Sequence, residues 1–251
     1  MNQKNEIIFY QELATNAWPP KKIIPYNGWL LRIDDGLYQR ANSVVPLYYS
    51  GDDPGKDIEK VEGIYSDHNL ETIFQLPDYY QPTTLWDKLL ESNYEIHAES
   101  MVMHGKVNEM LDLPLNQDLA YSISSELSSE WCNALQSFNN SSIERIEIAK
   151  KIIERIQQRK VFFFAKESDL IVGICLAVIE RGCLGIYNMA VNPDHRRRGI
   201  GLSLISQMVV WAKKEQLENI YLQVQGDNSK AIALYEKAKM NEIYKYRYFI
   251  K

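Results

Sequence analysis

Two hydrophobic rhythms alternate along this chain. In some windows apolar residues return every three or four positions, the period of a helix with one buried face. In others they run unbroken or alternate, as strands do. The second half shows this most plainly. Leu119 to Ile123 predicts a strand, Ser128 to Phe138 a helix, and Ser141 to Arg159 a longer helix with Glu, Lys and Arg on its wet face. Val161 to Lys166 and Leu170 to Glu180 predict a hairpin turned at Glu167-Ser168-Asp169. Leu184 to Val191 reads as a buried strand, Gly201 to Gln216 as a helix and Asn219 to Val224 as a strand. Ser229 to Ala238 is then a helix and Glu242 to Ile250 a closing strand.

The first half is less regular. Residues 1–26 read as a short helix or irregular start, ending at Trp18-Pro19-Pro20 and Pro25. Gly28 to Ile33 reads as a strand, and Asp34-Asp35-Gly36 as the turn of a hairpin whose second arm is Tyr38 to Tyr49. A loop at Ser50 to Gly55 precedes a helix at Lys56 to Asp67. Thr72 to Leu76 is a strand, Thr83 to Ser92 a helix with Leu85, Trp86, Leu89 and Leu90 on one face, and Tyr94 to Val107 a long strand. The pattern starts afresh at Asp118, so domains are expected at 1–117 and 118–251. Overlaid at a shift of about 146 residues, the halves share a weak repeat. Asn42 to Pro46 falls near Asn188 to Pro193, Leu70 to Phe74 near Leu217 to Tyr221, and Leu85 to Leu90 on Ala231 to Glu236.

Composition narrows the class. A length of 251 residues can bury one large core or two small ones. Hydrophobic content of 45% and charged content of 24% are ordinary for a globular protein. A net charge of −5 argues against general nucleic-acid binding. Three cysteines, Cys132, Cys175 and Cys183, share no metal-ligand spacing with the four histidines, and an odd count suits reduced thiols in the cytoplasm. The polar start, Met1 to Glu6, has no signal-peptide core, and the longest apolar run, Leu170 to Ile179, is too short to span a membrane.

The candidate chemistry lies between Ile186 and Tyr235. A buried strand ends at Asn192-Pro193-Asp194; then Arg196-Arg197-Arg198-Gly199-Ile200-Gly201 leads into a helix. Arginines there oppose the positive end of the helix dipole, and the glycines leave the helix without a capping side chain. A solvated basic turn is the simple explanation. An anion bound by the uncapped N–H groups removes both oddities.

This loop resembles the Gln/Arg-x-x-Gly-x-Gly/Ala motif of the GNAT (Gcn5-related) N-acetyltransferase superfamily. Asn228-Ser229-Lys230-Ala231-Ile232-Ala233-Leu234-Tyr235 is similar to that family's later Asn-x-x-Ala-x-x-Leu-Tyr. The match covers roughly Asp118 to Lys251. The resemblance implies an α+β fold, a mixed and mostly antiparallel sheet with helices on both faces; the weak repeat adds the expectation of a smaller, degenerate GNAT-like α/β unit before it. It implies acetyl-CoA as co-substrate, with no metal. It also implies that the strands holding Val191 and Ile220 part to admit the pantetheine arm.

By resemblance, the backbone from Arg196 through Arg197, Arg198, Gly199, Ile200, Gly201 and Leu202 takes the pyrophosphate. Met189, Ala190 and Val191 pair with pantetheine, and one N–H there can serve as an oxyanion hole. Asn228 touches pantetheine and Tyr235 is the general acid toward the departing thiolate. Seven residues separate them, close to two helical turns, so they share a face.

The family's frequent general-base Glu is Gln223 here, and its Gly-Phe is Lys239-Met240. The expected function is direct acetyl transfer to an amine borne by a small molecule or peptide. A non-catalytic acyl-CoA-binding or regulatory module on the same fold is the alternative. His195 reads as a surface residue, and His68, His97 and His104 have no evident partners. The N-terminal half is expected to bind no second CoA, since Asp52 and Asp53 stand at the loop position and Leu89 at that of Tyr235. It is expected to act as an internal pseudo-subunit in a monomer, with neither nucleic acid nor membrane as partner.

Overall fold

The computed structural model describes residues 2–251, and Met1 of the polar start lies outside them. The chain divides into two compact units, but not into consecutive segments. The first comprises the chain up to Met101 with Gln225–Asp227 and Ile243–Lys251. The second comprises Val102–Val224 and Asn228–Glu242. Residues 117 and 118, the expected boundary, both lie inside the second unit.

In the first unit, α1 (Gln3–Ala17) leads to β1 (Lys22–Tyr26), β2 (Trp29–Ile33), β3 (Val44–Val45), α2 (Pro54–Asp67), β4 (Ile73–Pro77) and α3 (Leu85–Glu91). The start of β5 (Glu95–Lys106) and most of β11 (Asn241–Ile250) complete it. Strand order is β1-β2-β3-β4-β11-β5. Trp29, Leu31, Val44, Tyr65, Phe74, Leu89 and Phe249 make the core, with the Trp29 ring edge-on to Phe74 at 5.6 Å.

The tight hairpin is not at Asp34-Asp35-Gly36. It joins β1 to β2 through Asn27 and Gly28, both at positive φ (46° and 87°). Asn-Gly is the preferred two-residue turn because both positions must be left-handed. Tyr38 to Tyr49 is not a long strand either. Asn42 accepts from the Asp34 N–H (2.8 Å) and donates to the Tyr38 carbonyl (2.9 Å), and Ser43 donates to the Gln39 carbonyl (2.8 Å). Side chains that satisfy the backbone locally compete with a ladder, and only Val44 and Val45 stay paired.

The second unit holds the rest: β6 (Ala120–Ser124), α4 (Ser129–Asn139), α5 (Ile143–Arg155), β7 (Arg159–Glu167), β8 (Leu170–Glu180), β9 (Cys183–Val191), α6 (Ile200–Lys214), β10 (Asn219–Gln225) and α7 (Ser229–Lys237). β6 to β9 are antiparallel neighbours, and β10 runs parallel to β9. The sheet is therefore mixed and mostly antiparallel.

Neighbouring phenylalanines of β7 show how the faces are covered, because successive strand residues point opposite ways. Phe162 meets Trp131 of α4 (5.3 Å between centroids) and Phe163 meets Trp211 of α6 (5.7 Å). Helices α4 and α6 thus lie on opposite faces. A Cβ on Gly201 of α6 would sit 3.0 Å from Leu234 of α7, so α7 shares the α6 face. Among the described residues no helix is long and apolar enough to cross a membrane.

Candidate active site

The site begins where two parallel strands stop pairing. Asn219 to Leu222 of β10 register with Cys183 to Ile186 of β9, and the pairing ends there. Just beyond, β9 bulges. Leu176 of β8 pairs with Tyr187 and Ile174 with Ala190, so Asn188 and Met189 both stand opposite Cys175. Asn188 takes the left-handed conformation (φ 47°), which Asn tolerates better than most residues. Met189, Ala190 and Val191 follow the bulge and form the β9 edge of the opening.

The basic loop sits at the end of that edge, but its arginines have different surroundings. Arg196 donates from Nε to the Val191 carbonyl (3.2 Å) and from Nη2 to the Phe138 carbonyl (2.9 Å), tying β9 to the end of α4. Arg198 grips Glu167, at the end of β7, with both terminal nitrogens at 3.1 and 2.5 Å. His195 Nε2 stands 3.3 Å from the same carboxylate. The Arg198 guanidinium, with smaller help from His195, holds the Glu167 carboxyl below the usual carboxylate range. Arg197 is exposed, left-handed (φ 64°), and has no hydrogen bond or ion pair among the described residues.

Gly199 is the N-cap of α6, at φ 77° and with no side-chain cap. The Ser203 N–H reaches its carbonyl at 3.0 Å, so the N–H groups of Ile200, Gly201 and Leu202 precede the first intrahelical bond. Gly201 also lets α7 pack closely, since a Cβ there would crowd the Leu234 side chain at 3.0 Å.

Asn228 caps α7, accepting from the Ala231 N–H at 3.1 Å. Its Oδ1 is engaged in folding, which leaves the amide Nδ2 as the group it could offer a ligand. Tyr235, two turns on, is buried; desolvation foremost, and then Cys175, push its pKa well above the ordinary value, so it is protonated at neutral pH.

Strand alternation places Tyr235 and Gln223 on opposite sides of the sheet. Cys175 pairs with Phe163, which faces α6, so Tyr235 lies on the α6/α7 face. Leu176 and Tyr187 pair on the other face, where the Tyr187 and Tyr221 hydroxyls meet at 2.9 Å. Gln223, two residues beyond Tyr221, shares that face. Both polar atoms of its carboxamide are buried without a hydrogen-bond partner among the described residues, and so is Asn188 Nδ2.

Sequence reasoning placed Glu167 only in a turn and His195 only on the surface, where the structure half-buries it against Glu167, and it gave Asn188 no role. A hint for Asn188 was available, since Asn tolerates the left-handed conformation better than most non-glycine residues.

The family described as "Probable histone acetyltransferase Rv0428c C-terminal" matches residues 6–249. The chain belongs to this acetyltransferase family. The acetyltransferase is 30% identical over 243 residues to the "Uncharacterized N-acetyltransferase YobR" of Bacillus subtilis, covering 96% of this chain and 97% of that one. A shorter stretch of 57 residues, 23% of this chain and 38% of the other, is 37% identical to the [ribosomal protein bS18]-alanine N-acetyltransferase of Escherichia coli K12. In fold it is similar to a GCN5-related N-acetyltransferase from Kribbella flavida (TM-score 0.71, 13% identity, covering 96% of this chain and 95% of that one). It is similar as well to a tandem GNAT protein of the clavulanic acid pathway (TM-score 0.67, 10% identity, 96% and 86% covered). The α+β GNAT fold and N-acetyltransferase activity follow from the family.

Proposed function

We propose that this acetyltransferase uses acetyl-CoA and moves the acetyl group directly from thioester to amine, with no covalent enzyme intermediate. Acetyl-CoA supplies the activated acyl group and a thiol leaving group. The observation that carries the reading is the opening between β9 and β10, with a protonated phenol on one face and an unpartnered carboxamide on the other.

The residues present fit that co-substrate. The N–H groups of Ile200, Gly201 and Leu202, with Arg197 beside them, suit a pyrophosphate. The bulged edge from Met189 to Val191 offers backbone groups to the amides of a pantetheine arm. Tyr235 donates its proton toward the departing sulfur from the α7 face. Asn228 offers its amide hydrogen from the same helix.

The first unit is read as a degenerate copy of the second. At the shift of about 146 residues, α2, β4, α3 and β5 fall on α6, β10, α7 and β11. We place the reaction in the cytoplasm, in keeping with three buried, unlinked cysteines.

Calorimetry with CoA, followed by an assay of thiol release from acetyl-CoA over small amines and peptides, tests the reading. One site per chain and amine-dependent release are expected. The alanine acceptor named for the bS18 enzyme makes a peptide amine a natural member of the panel. Absence of CoA binding would overturn the proposal.

A further inference from the structure

A buried carboxamide with no partner has lost its hydration with nothing in exchange, so the Gln223 amide belongs with a group that the folded chain alone does not supply. It faces the opening from the side opposite Tyr235, the side from which a nucleophile would approach while the thiol leaves toward Tyr235. We propose that Gln223 is an acceptor-positioning residue, and that it selects a neutral α-amine flanked by a carbonyl, as at a peptide N-terminus, over a lysine ε-amine. The inference rests on the acetyl-CoA reading above.

The chemistry is one of matching shapes. A carboxamide presents an acceptor oxygen and a donor nitrogen side by side. An α-amino amide presents an N–H donor and a carbonyl acceptor close together, in the complementary order. A lysine side chain has no carbonyl beside its amine. A carboxamide also takes no proton at neutral pH, so Gln223 can hold an amine that arrives neutral but cannot deprotonate an ammonium.

The other groups on this face do not change that. Tyr187 and Tyr221 are bonded to each other, and burial pushes the Tyr221 hydroxyl well up. Cys183, also raised by burial, and Glu180 lie at the paired end of β9, away from the opening. Glu130 of α4 is exposed. On β5, beside β10, Lys106 is exposed. The Val107 N–H reaches the Glu218 carbonyl at 2.9 Å, and that antiparallel register sets His104 level with Tyr221. Glu242, on β11 beyond β5, is exposed.

The step balances without an outside base. The amine lone pair forms the C–N bond, the C–S bond breaks with its electron pair on sulfur, and the proton lost by nitrogen ends on that sulfur. Tyr235 gives its proton to the thiolate and is reprotonated from the amine.

The test uses acetyl-CoA and three tetrapeptide amides. One has a free N-terminus and no lysine; the second is N-acetylated with one lysine; the third repeats the first with a fluorinated N-terminal residue that acidifies its amine. Near pH 7 the neutral fractions of an α-amine (pKa about 8) and a lysine (about 10.4) differ on the order of 10², and kcat/KM should favour the first peptide by at least that. The pH at which kcat/KM levels off should fall with the third peptide, following the acceptor. Gln223→Met should raise the KM for the α-amine roughly tenfold or more, leaving CoA affinity unchanged, while Gln223→Glu, which keeps the acceptor oxygens, should lose less.

Equal or better use of the lysine peptide overturns the inference. So does an unchanged KM in Gln223→Met, or CoA binding with no transfer to any peptide. A levelling-off that stays fixed for both α-amines and disappears in His104→Gln would overturn it by giving the proton to His104. Failure to bind CoA at all would instead remove the reading beneath it.

Discussion

Helices α2 and α6 start in opposite ways. In the first unit, Asp53 caps α2 with its own carboxylate, accepting from the N–H groups of Gly55 (3.0 Å) and Lys56 (3.3 Å), and Pro54 in the first turn has no N–H to satisfy. Those backbone bonds hold the Asp53 carboxyl below its usual range. In the second unit, Gly199 caps α6 with nothing, and the neighbouring side chains are arginines. A helix start closed by a fixed anion is finished as structure. One left open beside cations leaves its N–H groups to water or to an anion from outside. The same contrast recurs one helix later, where Leu89 of α3 is pure core and Tyr235 of α7 carries a hydroxyl.

The largest expected effect tests that second pairing. Tyr235→Phe should lower turnover by roughly 10²–10⁴, the usual loss for a general acid, while CoA affinity stays within a few-fold. Leu89→Ala should do the reverse. Its side chain is fully buried, so the variant should lose about 2–5 kcal/mol of stability in denaturant titrations with no change in turnover per folded molecule. Equal turnover in Tyr235→Phe, measured where chemistry limits the rate, would leave the two helices alike.

Exchanging the caps is the next test. Gly199→Asp brings a carboxylate to the start of α6, at a left-handed position (φ 77°) where an L side chain is strained, unlike the extended Asp53. The carboxylate beside the free N–H groups should weaken CoA binding by roughly tenfold or more in calorimetry, while the backbone strain offsets any gain in helix stability. Asp53→Ala should lower the melting temperature by a few degrees without creating a second CoA site. A stoichiometry near two would show that the caps do not decide where phosphate binds.

Much of the second unit was legible because its strands are either continuous apolar runs or bounded by turn residues, and β7 to β10 fall close to their expected limits. The uncapped glycine start of α6 was legible too, since a missing cap is a local property. The first unit hid more. Asn27-Gly28 is a strong turn signal, but Asp34-Asp35-Gly36 competed with it, and the deciding bonds of Asn42 and Ser43, though only four to eight residues long in sequence, leave no trace in a hydrophobic period. Gln223 could be read as a replaced carboxylate, but its lack of a partner depends on every neighbour at once. Nothing local indicates that β11 pairs with β4 in the first unit, since Phe249 and its partner Phe74 are 175 positions apart, no distance a periodicity can sense.

The smallest effect concerns Glu167, which does for Arg198 part of what Asp53 does for α2. It places a resident carboxylate beside the open helix start, 31 residues away in sequence, and occupies one of the three arginines. If that pair competes with phosphate, Glu167→Gln should tighten CoA binding a few-fold at low salt, and the gain should shrink as salt screens it. Weaker binding would mean that Arg198 must be held by Glu167 to act. The pair also has a pH signature. Arg198 lowers the Glu167 pKa in the folded chain, so the pair stabilises above the unfolded carboxyl value, about 4.3, and that stabilisation is lost as pH falls through the lower folded value. The difference in melting temperature between wild type and Glu167→Gln should therefore be constant from neutral pH down to about 5 and shrink as pH falls below about 4.3 through the lower folded value. Because both side chains are partly exposed, the difference should be small throughout. A difference that instead grew on acidification would mean that the carboxylate is strained against the loop rather than bound to it.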